Sequence, residues 1–294
     1  MRLILYLWDS LLSTSNIIII MKYKTTFRNI LILYILIVNF AYAQKIPNIQ
    51  TTSLKIPDNI KFDGKANKWN NNFQAYNHAT NLYYSIANND KLLYLIFQIK
   101  QPDIITKVFL GGVTLTISSA INPQKFKTSV TYPVFIGQKA PLYSIFKNKP
   151  KKSNDSIQYA MQVDSFIYNL NNTFLNNLKL IIVEKNENAT DTISIYNQQG
   201  IKVASRFDNN FYFTCEIGIP IKLFDQSSSA SEYNYNIRLN GSSVQKGKIQ
   251  FSSNGRFIII SNAQGKPVDA IPVIPETMNT TFPTDFGGKY KMLK

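Results

Sequence analysis

The chain has 294 residues, of which 45% are hydrophobic and 13% aromatic, enough for a sizeable core; 17% are charged, and the net charge is +15. One cysteine, Cys215, excludes an intrachain disulfide or Cys-rich metal site, and one histidine, His78, excludes His-cluster metal sites and the usual zinc motifs. The only dense basic stretch is Lys147, Lys149, Lys151 and Lys152; the pattern is that of a solvated basic surface, not a nucleic-acid face, with an acidic polysaccharide or an anionic membrane surface as the other options.

Residues 1–20 carry two apolar runs, Leu3–Trp8 and Ile17–Ile20, and read as an extension upstream of the fold. Met21 opens a second start. Lys22, Lys24 and Arg28 form a positive segment, Ile30–Val38 is apolar apart from the Tyr34 hydroxyl, and Ala41-Tyr42-Ala43 puts small residues where a signal peptidase reads. This layout predicts a signal peptide over about 21–43, with Gln44 the first mature residue. The mature domain, 44–294, is then periplasmic, outer-membrane-associated or extracellular. A longer uncleaved anchor is the competing reading. No cysteine follows the cleavage site to carry a lipid, and no later apolar run is long enough for a span.

In the mature chain, Leu82, Tyr84 and Ile86 alternate, Asn88–Lys91 reads as a turn, and Leu93, Leu95, Phe97 and Ile99 alternate with Tyr94, Ile96, Gln98 and Lys100, which predicts a hairpin. Val113, Leu115 and Ile117 mark a strand after Gly111-Gly112, and Thr131–Ile136 another, placed by Pro133 at an edge or bulge. A loop over 138–155 precedes an amphipathic helix from about Ser156 to Asn177, its apolar positions including Ile157, Ala160, Met161, Ile167, Leu170 and Phe174. Leu178, Leu180 and Ile182 return to strand spacing. Ile193–Tyr196 and Ile201–Phe207, around Asn197–Gly200, predict a second hairpin. In Phe211–Ile219, Phe211, Phe213, Cys215, Ile217 and Ile219 share one face; Cys215 there is a small core residue, with a reactive thiol as the alternative. Pro220 ends that strand, Ile221–Phe224 forms a short helical turn, and Tyr235, Ile237 and Leu239 mark a late strand before an irregular tail over 262–283. The expected fold is mainly β, an antiparallel β-sandwich of immunoglobulin or jelly-roll type with one or two short helices, in a single domain.

Three segments together resemble the family 9-like carbohydrate-binding modules, a β-sandwich superfamily related to DOMON domains. Phe62–Trp69 (FDGKANKW) is similar to that family's I-D-G-x-x-D-E-W opening. Asn89–Leu95 (NDKLLYL) is similar to its D-D-x-x-L-Y-L hairpin, and Tyr212–Pro220 (YFTCEIGIP) to its Y-x-x-E-x-A-I-P strand. The resemblance covers roughly residues 55–255. It implies the sandwich, with Asp63, Gly64, Trp69, Tyr94 and Pro220 in structural roles, and binding of a carbohydrate. The family's acid pair before the tryptophan is here Asn67-Lys68, and the tryptophan pair with which sugar-binding members clamp their ligand is missing, since Trp69 is the one tryptophan of the mature chain.

A sugar site therefore has to use tyrosines: Tyr76, Tyr83, Tyr84, Tyr132, Tyr143 and Tyr212 are the candidates, with Glu216 on the polar face of its strand. The expected function is a secreted, non-catalytic module that binds carbohydrate. The alternatives are an envelope structural or interaction protein that kept the sandwich without the sugar site, or an accessory part of carbohydrate catabolism associated with glycoside hydrolases. A glycosidase needs two facing carboxylates, for which Asp63, Asp90, Asp208 and Glu216 are the candidates; the competing role of Glu216 is a structural carboxylate that accepts hydrogen bonds. Asn88, Asn89 and Asp90 offer adjacent oxygens, which makes Asn89 and Asp90 candidate calcium ligands, while turn formation alone also explains them. Haem would need His78 or Met161 as axial ligand and is disfavoured; His78 is expected in a loop beside Trp69. A Ser-His-Asp triad would require His78, and no nucleophile-elbow motif accompanies it.

Overall fold

The computed structural model describes residues 46–121, 123, 127–134, 145–146, 148–186, 189–224, 232–242, 248–262 and 264–293, together with Phe27. Phe27 apart, the expected signal segment and the 1–20 extension lie outside the described residues, as does Tyr143. All described strands fall in one compact unit, Pro47–Lys294.

Two antiparallel sheets form a sandwich. The first has five strands in the order β1 (Ala75–Asn77), β2 (Leu82–Asn88), β3 (Leu92–Ile99), β9 (Phe213–Pro220) and β8 (Lys202–Phe207). The second has six: β14 (Thr284–Lys291), β10 (Glu232–Leu239), β4 (Val113–Ser119), β5 (Lys127–Val134), β6 (Leu180–Lys185) and β7 (Ala189–Ser194). A separate three-stranded sheet runs β11 (Lys248–Phe251), β12 (Phe257–Ser261) and β13 (Pro267–Pro272). The inward faces of the two large sheets meet in one apolar cluster. Leu82, Tyr84, Leu95, Phe97, Phe213 and Ile217 contribute from the first sheet, and Leu115, Ile117, Ile181, Val183 and Ile237 from the second. Cys215 is fully buried there, opposite Phe97 on β3, and burial pushes its thiol well up.

Strands β3 and β9 are also buried on their outward face. The segment from Leu54 to Phe73 lies across that face and makes a second, smaller core with Ala87, Tyr94 and Ile96. This double burial explains why β3 reads as a nearly continuous apolar run.

Several expectations need correction. An unforeseen helix, α1 (Pro102–Gly111), follows β3 directly; Pro102 suits its first turn and Ile104, Ile105, Val108 and Phe109 form its buried stripe. Pro133 lies in a strand flanked on both sides, by β4 and β6, so it marks no edge; the register instead shifts between Thr131 and Val134, the bulge option. In β6 the buried residues are Ile181 and Val183, one position out of phase with Leu180 and Ile182. The second hairpin does not form: β7 pairs with β6 in the second sheet and β8 with β9 in the first, so Asn197–Gly200 belongs to a crossover. The helix α2 (Ser156–Asn169) is capped by the Asp155 side chain and runs on through a π turn, Leu170–Phe174, and a 3-10 turn to Asn177. Its buried stripe is Val163, Ile167 and Leu170, while Ile157 and Met161 face solvent. The tail is regular: β13, a helix α3 (Pro275–Thr281), and β14, which pairs with β10 along its whole length.

Candidate functional site

The Asp63-Gly64 turn is tied to the outward face of the first sheet through Glu216. This carboxylate is fully buried. Its Oε2 accepts the backbone N–H of Asp63 at 2.8 Å and of Gly64 at 2.5 Å. Its Oε1 accepts from Lys68 Nζ at 2.6 Å and from the Tyr94 hydroxyl at 2.5 Å. Lys68 Nζ also donates to Asp63 Oδ1 at 2.8 Å and to the Lys61 carbonyl. Burial tends to raise the Asp63 pKa, but the bonds from Lys68 and the Lys65 backbone N–H outweigh it and hold the carboxyl below its ordinary value. The Tyr94 hydroxyl is pushed far up by burial and by the adjacent Glu216.

Trp69 stacks on Tyr94, ring centroids 5.8 Å apart, and Phe62 meets the same ring edge-on at 5.4 Å. Gly64, at φ +73°, touches β8 so closely that a Cβ would lie 2.5 Å from the Ser205 carbonyl carbon. Gly218 has Phe62 and Leu92 over it in the same way, and Pro220 lies opposite Leu92. Glu216 is thus an internal anchor and is corrected from the ligand-binding set: no part of it is accessible. Lys68 is the counterion of this buried carboxylate.

The 54–73 segment covers only part of the face. A cross-strand row continues past it: Tyr76 opposite Tyr83, Tyr83 opposite Gln98, Gln98 opposite Thr214, and Thr214 opposite Arg206. Between this row and the 64–71 segment lies a cavity of about 340 Å³. Gln98 and Thr214 are at its floor, joined by a 3.1 Å bond from Gln98 Nε2 to Thr214 Oγ1; Arg206, Asp208 and Asn209 form one wall and Lys65 and Asn71 the other. Asp208 Oδ1 accepts the N–H groups of Asn210 and Tyr212, each at 2.9 Å. Burial nonetheless leaves the Asp208 carboxyl above its ordinary pKa.

Beside the cavity is an aromatic platform. The Tyr76 and Tyr83 rings are 4.4 Å apart, and Lys100 Nζ sits 4.1 Å from the Tyr83 centroid and 5.1 Å from that of Tyr212. Tyr76 donates to Asn81 Oδ1 at 2.7 Å, which holds its ring.

Of the tyrosines proposed from sequence, Tyr76, Tyr83 and Tyr212 come together here. Tyr84 is corrected out of that set: it lies in the main core, its hydroxyl 3.0 Å from that of Tyr235 and accepting the Gln50 N–H. Tyr132 is buried likewise, against Ser205. Asn89 Oδ1 accepts the N–H groups of Lys91 and Leu92, and Asn88 Oδ1 accepts the Tyr290 hydroxyl and the Leu293 N–H, so these oxygens are engaged in closing the turn and docking the C-terminal strand; Asp90 is exposed. Among the described residues no group of three or more His, Cys, Asp or Glu side chains is placed to hold a metal ion. His78 lies against Tyr76, at 4.8 Å, not beside Trp69. Gln98, Thr214, Arg206 and Lys100 were not singled out from sequence; the trace that Gln98 and Thr214 leave is a polar residue at the outward parity of strands that are otherwise largely apolar.

Fold and cleft define an antiparallel β-sandwich with a cavity, floored by an amide and a hydroxyl, at the open end of one outer face. No protein-family model matches the chain, and no curated protein matches it. Among the described residues no helix is long and apolar enough to cross a membrane.

Proposed function

We propose that this chain is an exported, non-catalytic binding module whose ligand is a carbohydrate, held in the cavity over Gln98 and Thr214 with the Tyr83–Tyr212 platform at its rim. The observation that carries the reading is a cleft floored by an amide and a hydroxyl, with the Tyr83 ring next to Gln98 on the same sheet face. A sugar ring offers hydroxyls to the floor and apolar C–H faces to the tyrosine. The three segments that resemble family 9-like modules support it at the level of the fold. The layout of residues 21–43 supports export, and N-terminal sequencing of the secreted protein should then begin at Gln44.

Affinity electrophoresis across a panel of polysaccharides tests the binding. Retention on at least one, weakened about ten-fold by Gln98→Ala, is the expected outcome; no retention on any removes the reading. A second reading, an envelope interaction protein, has one feature in its favour. Phe257, Ile259 and Ala270 share a face of the three-stranded sheet, and Phe257 is 42% and Val268 60% exposed.

A further inference from the structure

Arg206 stands on the cavity wall, exposed, and among the described residues its guanidinium has neither an ion pair nor a hydrogen bond. Lys65, on the facing wall, has only the distant charge of Asp63, whose Oδ1 is already taken by Lys68. Lys100 rests its ammonium on the Tyr83 and Tyr212 rings at the rim. On the negative side, Asp208 is the only carboxylate among the described lining residues, and its Oδ1 is engaged by two backbone N–H groups. Asp164, close by, takes the Asn209 amide at 3.2 Å. Asp208 also lies in the field of Lys100, so among the described lining residues Arg206 and Lys65 are the cations without an ion pair, around a floor that is itself uncharged.

A guanidinium donates hydrogen bonds to the hydroxyls of a neutral sugar, but its charge stays uncompensated there. A carboxylate or sulfate compensates it, and the guanidinium fork presents parallel N–H donors at the spacing of two such oxygens. We infer that the glycan bound in the cleft is an acidic one, a uronate- or sulfate-bearing chain whose anionic group is taken by Arg206, with Lys65 on the facing wall. This rests on the carbohydrate reading above. The cavity, about 340 Å³, lies at the lower end of the size range of small-molecule sites.

The test uses the full chain in affinity electrophoresis and titration calorimetry. The probes are polygalacturonate, alginate and chondroitin sulfate, each beside its carboxyl-reduced or desulfated counterpart. Binding to at least one acidic form, at least ten-fold tighter than to its neutral counterpart, is expected. Arg206→Gln should remove about ten-fold of that preference, while Lys266→Gln, in the exposed turn of the three-stranded sheet, leaves it unchanged. Equal binding to acidic and neutral forms overturns the charge assignment and keeps the carbohydrate reading. An equal loss from Lys266→Gln, or equal affinity for a single-stranded oligonucleotide, overturns it in favour of non-specific charge attraction. Failure to bind any of the probes or any neutral polysaccharide removes both.

Discussion

Lys68 and Glu216 stand 148 residues apart in the chain and 2.6 Å apart in the fold. Through this pair, and through the Asp63 and Gly64 N–H groups on the other carboxylate oxygen, the N-terminal segment is pinned to the centre of the first sheet. That segment forms one wall of the cleft. The pair therefore sets the geometry of the proposed site without being part of it.

Removing the lysine strands a fully buried carboxylate. Lys68→Met is expected to destabilise the fold by about 3 kcal/mol or more. Glu216→Gln keeps acceptors for the two backbone N–H groups and should lose less. The double variant should lose less than the sum of the two, because the charge that needs a partner has gone. Urea unfolding of all four proteins checks this; additive losses would show that the two side chains do not interact.

Gly64 and Gly200 offer an internal comparison. Both have positive φ, +73° and +82°, but a Cβ at Gly64 would meet the β8 backbone at 2.5 Å, whereas at Gly200 the nearest atom is Pro220 Cγ at 3.3 Å. Gly200→Ala should lose about 1 kcal/mol from backbone strain alone, and Gly64→Ala at least twice that, as well as shifting the 64–71 wall. Thermal melts of the two variants give the ranking.

Lys107 gives the stability a pH signature. Its side chain is buried between α1 and β14, donating to Thr284 Oγ1 at 2.9 Å. Burial brings its amine down from 10.5 to about 8, against the opposing charge of Asp103. Between pH 8 and 10.5 the unfolded chain carries a proton that the fold does not, so the contribution of Lys107 to stability rises with pH across that window, by up to about 3 kcal/mol. Above pH 10 the trend reverses. Tyr94, Tyr235 and Tyr290, the last pushed up to about 12, stay protonated when folded and ionise when unfolded. Lys107→Met should abolish the rise and leave the fall. Chemical denaturation from pH 7 to 11 checks both limbs.

Cys215 should be silent to thiol reagents in the folded protein and react fully once unfolded, since it is sealed between the sheets. Slow labelling under native conditions, at the rate of global unfolding, is the expected kinetics. Fast labelling would mean that the first sheet opens locally.

How much of this was legible in the sequence follows from where the information resides. The hairpin β2–β3 and the strand β9 were readable because Leu93, Leu95, Phe97 and Phe213, Cys215, Ile217 alternate locally. Helix α1 was not, because Ile104–Leu110 is a short, largely apolar run that periodicity alone does not separate from a buried strand. The crossover from β7 to β8 passed for a hairpin because adjacent strands pair by default, and the choice of sheet is made by partners far away in the chain. In the site, three tyrosines were found by type, but Tyr84 and Tyr83, one residue apart, face opposite ways. Only the register of β1, β2 and β3 says which one is outside. Gln98 and Thr214 become a floor only because the 54–73 segment stops short of them.

The central claim is that ligand enters the cleft between residues 64–71 and 206–214. Amide chemical-shift mapping during titration with the best-retained polysaccharide fragment tests it most directly. Shifts concentrated at Gly64, Asn71, Gln98, Asp208 and Thr214 are predicted. Shifts concentrated on the three-stranded sheet around Phe257 and Val268, with the cleft unmoved, would contradict it.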